Sequence, residues 1–395
     1  MIIKNIAFSV LLCLGIGISS VKAAEVESRI FNKGGIESWC NQSSPRQTVI
    51  YVDESIITQG DDKWARQLMN KIHFTPRERV QVVALRADAG TADQRFSLCY
   101  PDYSQAELED LRRGQRISEF FTGTPMDQMR QAREQFDRGF RVALSSFIVK
   151  GQASGIAPVQ TGPLPDKSIA EAMFYDEKRF ATENGVSRLI IFSDMLQNSQ
   201  SFQPTKENDP AASGIDAARK YAIRFNLAEV HVFGIGSTVP AGDPVNRKME
   251  AFWRAFFLAN GAYLEQFSNT LNLGDSRSIA VKRWRGALAV ADMHSEVNLR
   301  IMTDESGVLV NSWLVVNNSG GLPLEGKEKC VESMCEITAK LRTDVGAFKR
   351  GDVLLLRGNA KEMKGALKDP TGAKFSDGKP AEYVIGLVRD DAARF

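Results

Sequence analysis

The sequence predicts an α/β domain with a doubly wound, mostly parallel sheet and helices on both faces, followed by a small all-β, sandwich-like domain. Two apolar runs, 47–53 and 188–194, are rich in β-branched and aromatic residues, which is typical of strands buried on both faces of a parallel sheet. Between residues 45 and 272, strand-like runs alternate with long helical patterns. From residue 285 to 395, short strand-like runs separated by turns predominate.

The chain of 395 residues begins with the features of a secretory signal peptide, which we place at 1–23. Lys4 precedes an apolar run, 6–18, and the small residues around Lys22 favour cleavage after Ala23. An uncleaved N-terminal anchor is the alternative. No second stretch of about 20 apolar residues follows, so the mature chain is not expected to span a membrane. We expect a periplasmic or secreted protein, with 24–44 as an N-terminal segment.

Charge argues against a nucleic-acid partner. The formal net charge of +2 falls to neutral once Lys4 and Lys22 are removed with the signal peptide, and no long basic run remains.

The cysteines predict disulfides. Of the five cysteines, Cys13 lies in the signal peptide, and an even number after export suggests pairing. Three pairings are possible in principle. The closeness of Cys330 and Cys335 favours that pair and leaves Cys40 with Cys99.

The elements of the first domain follow from apolar spacing, capping residues and turns. In chain order the pattern predicts a strand at 47–53, a helix after Asp61-Asp62, a strand at 80–86, a short edge strand at 95–100, helices from Ser104, at 126–149 and at 166–181, a strand at 188–194, a helix at 215–225, a strand at 229–234, a helix at 248–259 and a strand at 262–267. Strands that alternate with helices imply right-handed crossovers and a parallel sheet.

The second domain is predicted from runs with strand character and intervening turns. These runs are 296–302, 308–316, 335–341, 352–357, 363–367 and 382–388. Six or seven such strands fit a β-sandwich or a small barrel.

Carboxylates and hydroxyls follow two strands of the first domain. Asp53 ends one strand and is followed by Glu54 and Ser55, while Ser193 and Asp194 end another. In an open α/β sheet, ligands bind beyond the carboxyl ends of the strands. If the two strands are neighbours, these oxygen ligands converge and suit Mg²⁺ or Ca²⁺.

The same residues carry a resemblance to a von Willebrand factor A (vWA) domain over about residues 45–270. The Asp-x-Ser of Asp53 and Ser55, the Ser-Asp ending at Asp194, and the run Phe-Trp-Arg-Ala-Phe-Phe at 252–257 before Gly261-Ala262 resemble that family. The resemblance implies a metal-ion-dependent adhesion site, built from Asp-x-Ser-x-Ser on one loop, Thr on a second and Asp on a third. An acidic residue of a partner protein fills the open position of the ion.

The chain departs from this pattern at two positions. Ile57 stands where the second serine belongs, and the helix pattern at 167–173 places Lys167 at the threonine position, with Ser168 beside it. An ammonium close to two carboxylates would repel a divalent cation and neutralise the carboxylates directly. A divalent cation such as Mg²⁺ remains one alternative. The departures favour the other, a metal-free ionic cluster of Asp53, Asp194 and Lys167 that holds the loops.

The function predicted from these residues is an exported, non-enzymatic interaction module. Its first domain would bind a protein partner of the cell envelope or of a secretion assembly through loops at the carboxyl edge of the sheet. The candidate metal ligands are Asp53, Ser55 and Asp194, and the candidate binding-loop residues are Glu54, Lys167, Ser168 and Ser193. One alternative is a metal-assisted hydrolase, for which Glu54 is the obvious general base. A third is a structural domain pair with a vestigial site. His231, inside an apolar strand, is interpreted as a hydrogen-bonded core histidine.

Overall fold

The computed structural model describes residues 35–41, 44, 46–114, 125–151, 164–180, 187–274, 278–290, 293–317, 321–372 and 382–391. The predicted signal peptide and most of the segment 24–44 lie outside the described residues. Of the helices in the described part of the chain, none has the length and apolar character needed to cross a bilayer.

A six-stranded sheet forms the first domain. Its strands are β1 (Gln47–Asp53), β2 (Arg79–Arg86), β3 (Thr91–Cys99), β4 (Arg188–Phe192), β5 (Ala228–Phe233) and β6 (Ala262–Phe267), in the order β3-β2-β1-β4-β5-β6. All neighbours are parallel except β2 and β3, which the tight turn after Arg86 makes antiparallel. The predicted mostly parallel sheet is confirmed, and the short strand that ends at Cys99 lies at its edge.

Helices cover both faces of this sheet. They are α1 (Lys63–Lys71), α2 (Gln105–Gly114), α3 (Pro125–Lys150), α4 (Ile169–Tyr175), α5 (Pro210–Tyr221) and α6 (Pro244–Ala259). One apolar core joins α4, α5 and α6 to the sheet, and a second joins α1 and α3 to the opposite face. Two helices begin earlier than predicted, because Asp209 and Asp243 cap them and a proline occupies the first turn of each.

The second domain is all-β, as predicted; of the two architectures that the strand pattern left open, it is the closed barrel and not the sandwich-like fold that we favoured. Its strands are β7 (Ala280–Val290), β8 (Met293–Thr303), β9 (Ser312–Val316), β10 (Gly321–Val331), β11 (Met334–Leu341), β12 (Val353–Gly358), β13 (Glu362–Lys368) and β14 (Glu382–Arg389). The ring closes because β7 pairs with both β8 and β14, and β9 pairs with both β8 and β10. An apolar cluster that includes Trp284, Leu299 and Leu356 fills the interior.

Two strands that the sequence analysis missed complete this ring. β7 carries Lys282, Arg283 and Arg285, which weaken its apolar alternation, and β10 contains Pro323 and a glycine, residues that are unfavourable in strand interiors. The barrel therefore begins at Ala280, ahead of the expected boundary at residue 285.

The outer surface of the barrel packs on the sheet face beside β5 and β6. Trp313 and Val315, which point away from the barrel interior, form an apolar cluster with Leu227 and Tyr263. The Arg300 guanidinium donates to the Leu227 carbonyl at 2.6 Å. The barrel thus covers the β5–β6 part of the sheet face on which α1 and α3 also pack.

Both predicted disulfides are present. Cys40–Cys99 ties the short 3₁₀ helix Glu37–Cys40 to the end of edge strand β3, and Cys330–Cys335 joins directly opposed residues of the β10–β11 hairpin. Their sequence separations are 59 and 5 residues. On the chain-entropy model the first stabilises the fold by about 4 kcal/mol and the second by about 2 kcal/mol.

A buried ionic cluster lies at the amino-terminal edge of the sheet. Glu78 accepts from Arg46 Nε at 2.8 Å and from Arg188 Nη2 at 2.9 Å, and all three side chains are buried. Burial raises the pKa of Glu78, but the charges of Arg46 and Arg188 outweigh burial and hold that pKa below its ordinary value. Ionised Glu78 therefore stabilises the fold above about pH 4.5, and this stabilisation is lost as the pH falls through the depressed pKa.

Replacing Glu78 tests this contribution. We expect Glu78→Gln to lower the free energy of unfolding at pH 7 by about 3–5 kcal/mol, because two buried arginines lose the carboxylate that they share. The variant should also lose less stability than the wild type between pH 5 and pH 3, measured by urea unfolding at each pH. Glu336→Gln, which removes an exposed ion pair with Arg357, should change stability by about 1 kcal/mol or less. Parallel pH profiles for wild type and Glu78→Gln would contradict the assignment.

Candidate functional site

Three segments of the chain meet at the carboxyl edge of the sheet. Asp53 is the last residue of β1, and Asp194 lies just beyond β4, the strand that pairs with β1. Lys167 lies just before α4, and its backbone exchanges hydrogen bonds with Asn198, of 2.8 and 2.9 Å. This pairing fixes the start of α4 beside the loop that follows β4.

The Lys167 ammonium lies between the two carboxylates. Its Nζ atom is 2.8 Å from both oxygens of Asp194 and 3.3 Å from Oδ2 of Asp53. Asp53, Lys167 and Asp194 are 0%, 4% and 1% exposed. The sequence placed these three residues at one edge of the sheet, and the structure brings them into direct contact. We call them the lysine cluster.

Hydroxyl groups satisfy the remaining carboxylate oxygens. Ser55 donates to Asp53 Oδ1 through its backbone N–H at 3.0 Å and its Oγ at 2.6 Å, and Ser193 donates to Asp53 Oδ2 at 2.8 Å. Thr238, in the loop after β5, donates to Asp194 Oδ2. The Leu196 backbone N–H donates to Asp194 Oδ1 at 3.1 Å.

The lysine cluster contains two carboxylates but a single ammonium, so its excess negative charge favours the protonated forms of Asp53 and Lys167. Burial raises the pKa of Asp53; Lys167 lowers this pKa and Asp194 raises it, and the net direction is upward. Burial lowers the pKa of Lys167, but the charges of Asp53 and Asp194 raise it above its ordinary value. The two directions agree, since one excess negative charge in a buried site attracts protons.

The donor set does not fit a divalent cation while Lys167 holds this position. A cation bound to both Asp53 and Asp194 would need the space between them, and that space contains the Lys167 Nζ atom. Ile57, at the position of the second serine in the resembled pattern, is buried in the apolar core and offers no ligand.

The other predicted residues lie apart from this contact. Glu54 Oε1 is 3.2 Å from Arg95 Nη2 and Glu54 Oε2 is 3.4 Å from Arg86 Nε, so both of its oxygens are engaged towards β2 and β3. Ser168 donates its backbone N–H to Ala87 at 2.7 Å. His231 is buried, with Nε2 3.0 Å from Glu229 Oε1, beside the barrel and away from the lysine cluster.

Thr238 and the Leu196 backbone N–H are site groups that the sequence analysis missed. The loop after β5 follows a strand adjacent to β4, so its hydroxyls could have been predicted at the same edge. The N–H of Leu196 carries no sequence signal, because every non-proline residue has one.

Exposed loop residues surround the lysine cluster. They come from the loops after β2 and β5 and from the segment before α4, whereas the loop after β4 is buried from Ser193 to Ser199. We call these exposed residues the rim: Asp88, Ala89, Pro165, Asp166, Ser237, Pro240, Ala241 and Gly242.

Comparison with known proteins adds little to this geometry. No protein-family model matches the chain, and no curated protein matches it significantly. Among solved structures it is similar to the crystal structure of the ArnB paralog VWA2 from Sulfolobus acidocaldarius, with a TM-score of 0.29 and 8% identity over 88% of this chain and 66% of that one. The chain thus spans slightly less than two thirds of that protein. The fold of the first domain is therefore described by its own strand order.

Removing the ammonium tests the lysine cluster. We expect Lys167→Met to lower the free energy of unfolding at pH 8 by about 3–5 kcal/mol, because two buried carboxylates lose their counter-charge. The variant should recover stability as the pH falls, since a buried carboxyl whose pKa is raised, as that of Asp53 is, favours folding when protonated. Urea unfolding from pH 8 to pH 5 measures both effects. Lys340→Met, at an exposed position of β11, is the matched control. Wild-type stability for Lys167→Met would contradict the role of the ammonium.

Proposed function

We propose that this protein is an exported, non-enzymatic interaction module with a vWA-like first domain, which binds a protein partner through the rim and without a metal ion. The observation that carries the proposal is the position of the Lys167 ammonium between Asp53 and Asp194. In the resembled family the partner reaches a metal ion; here both carboxylates are buried and both contact the Lys167 ammonium of the chain itself. A partner would therefore contact the rim and not the carboxylates.

The surroundings of Glu54 favour binding over hydrolysis. A general base must reach the proton that it abstracts, and Glu54 is instead engaged by Arg86 and Arg95. A metal-assisted hydrolase would also need a cation where the ammonium lies.

The two disulfides support the proposed export. Disulfides persist in oxidising compartments such as the periplasm and the extracellular space. An envelope or secretion assembly would supply a partner in either place.

A titration tests the metal-free site. We expect the wild-type mature protein to show no saturable heat with Mg²⁺, Mn²⁺ or Ca²⁺ in isothermal titration calorimetry. Lys167→Ala should gain saturable binding, because the freed carboxylates and the hydroxyls of Ser55, Ser193 and Thr238 suit a hard cation. Lys340→Ala should behave as the wild type does. Tight binding by the wild type that disappears in Asp53→Ala would overturn the metal-free proposal.

Site-specific photo-crosslinking tests the rim. A benzoylphenylalanine is placed at Asp166 or Ser237 on the rim, and at Lys364 on the outer face of the barrel as the control, in cells that make the protein natively. We expect a discrete higher-mass adduct from the rim positions alone. No adduct at either rim position, or the same adduct from Lys364, would favour a structural domain pair with a vestigial site.

A further inference from the structure

The disulfide between Cys330 and Cys335 lies on an exposed hairpin. Residues 329–334, which include the turn between β10 and β11, are all exposed, and Cys330 is one of them. The other disulfide is less accessible, because its Cys99 is only 2% exposed. Thiol–disulfide exchange requires that an attacking thiolate reach one of the two sulfur atoms. We therefore expect a dithiol in solution to reduce the hairpin disulfide first.

Strand pairing holds this hairpin together independently of the disulfide. Cys330 and Cys335 are directly opposed in the ladder that joins β10 to β11, and β11 is also paired with β12 from Cys335 onwards. The disulfide spans a sequence separation of 5 residues, and so short a loop gains little stability from its closure. Reduction therefore leaves two thiols that face each other on ordered strands.

A carboxylate lies beside the two sulfur atoms. Glu328 is two residues before Cys330 on β10, and side chains with this spacing share one face of a strand. One ligand atom from each of Glu328, Cys330 and Cys335 lies within 4.8 Å of the other two. Cys335 packs against the apolar interior of the barrel, and the Glu328 side chain is 6% exposed. The three ligands thus form a compact, partly buried set.

The charge and chemistry of this set suit zinc. Lys282 Nζ is 2.6 Å from Glu328 Oε1 and offsets the charge of the carboxylate, while no described residue donates a hydrogen bond to Oε2. Two thiolates then balance the charge of one divalent cation. Thiolates favour Zn²⁺ over Mg²⁺ and Ca²⁺. Zinc accepts cysteine sulfur and carboxylate oxygen in tetrahedral geometry, and a water completes the fourth position.

We propose that the reduced hairpin binds one Zn²⁺ through the sulfur atoms of Cys330 and Cys335 and a carboxylate oxygen of Glu328, and that oxidation releases the ion. In the reduction the S–S bond breaks, and a dithiol supplies two electrons and two protons and itself becomes a disulfide. Zinc then displaces the two thiol protons. A disulfide oxidant takes the two electrons back and restores the S–S bond, which leaves Glu328 alone and unable to retain the ion.

Graded reduction tests the accessibility of the hairpin disulfide. The mature protein is incubated with increasing dithiothreitol and alkylated, and the labelled cysteines are identified by mass spectrometry. We expect Cys330 and Cys335 to be labelled at lower dithiothreitol concentrations than Cys40 and Cys99. Labelling of all four at the same concentration would overturn the proposal, because a switch at the hairpin must open while the rest of the fold stays oxidised.

Zinc titration of the selectively reduced protein tests the site itself. After dithiothreitol is removed without oxygen, we expect one saturable site for zinc chloride by isothermal titration calorimetry, and none in the oxidised protein. Oxidised glutathione should release the zinc, which a chromophoric chelator detects. Glu328→Gln should weaken binding by at least roughly tenfold. Glu336→Gln, which alters a carboxylate on the opposite face of the same hairpin, should bind as the wild type does.

The wild type alone can overturn the zinc site. The absence of saturable zinc binding by the reduced protein would exclude it, and equal binding by the oxidised protein would place the ion elsewhere. Both measurements compare two redox states of one chain, so a folding defect in Glu328→Gln does not obscure them. An unchanged zinc affinity in Glu328→Gln would overturn the role of the carboxylate.

Discussion

The arrangement of the candidate site depends on the contact between one buried ammonium and two buried carboxylates. Lys167 links the end of β1, the start of α4 and the loop after β4. Removing one partner of such a group strongly destabilises a protein, because a buried charge is left without compensation. The hydroxyls of Ser55, Ser193 and Thr238 then complete the hydrogen bonding of the carboxylates. A cation that is part of the chain cannot dissociate and cannot offer an open coordination position to a partner.

A second constraint sets the relation between the two domains. β5 places Glu229 and His231 on the sheet face opposite α5 and α6, and the barrel covers that face. Tyr263 of β6 joins the apolar contact with Trp313, and Glu265 forms an ion pair with Arg342 of the barrel domain. These side chains explain why two strands of a buried sheet carry polar residues: their partner is the outer surface of a barrel, which presents arginines as well as apolar groups.

The parts of this structure that could be predicted from sequence are those fixed by local pattern. The apolar runs ending at Asp53 and Asp194 located two neighbouring strands, and the helix pattern after Lys167 placed the lysine beside their carboxylates. Barrel closure could not be predicted, because it depends on pairing between β7 and β14, which lie far apart in the chain. For Thr238 the strand order could have indicated the edge of the sheet, but its contact with Asp194 follows from the fold of the loop and not from sequence spacing.

The barrel's place on the sheet has a consequence for the order of folding. A chain is synthesised from its N-terminus, so the sheet emerges before the strands that cover its β5–β6 face. Until β9 arrives, Leu227 and Tyr263 remain exposed to solvent, and Glu265 has no ion-pair partner in the barrel until Arg342, the residue after β11, has followed. The first domain therefore reaches its full stability only after the last part of the chain has been synthesised, and we expect it to be most vulnerable to proteases and to aggregation in that interval.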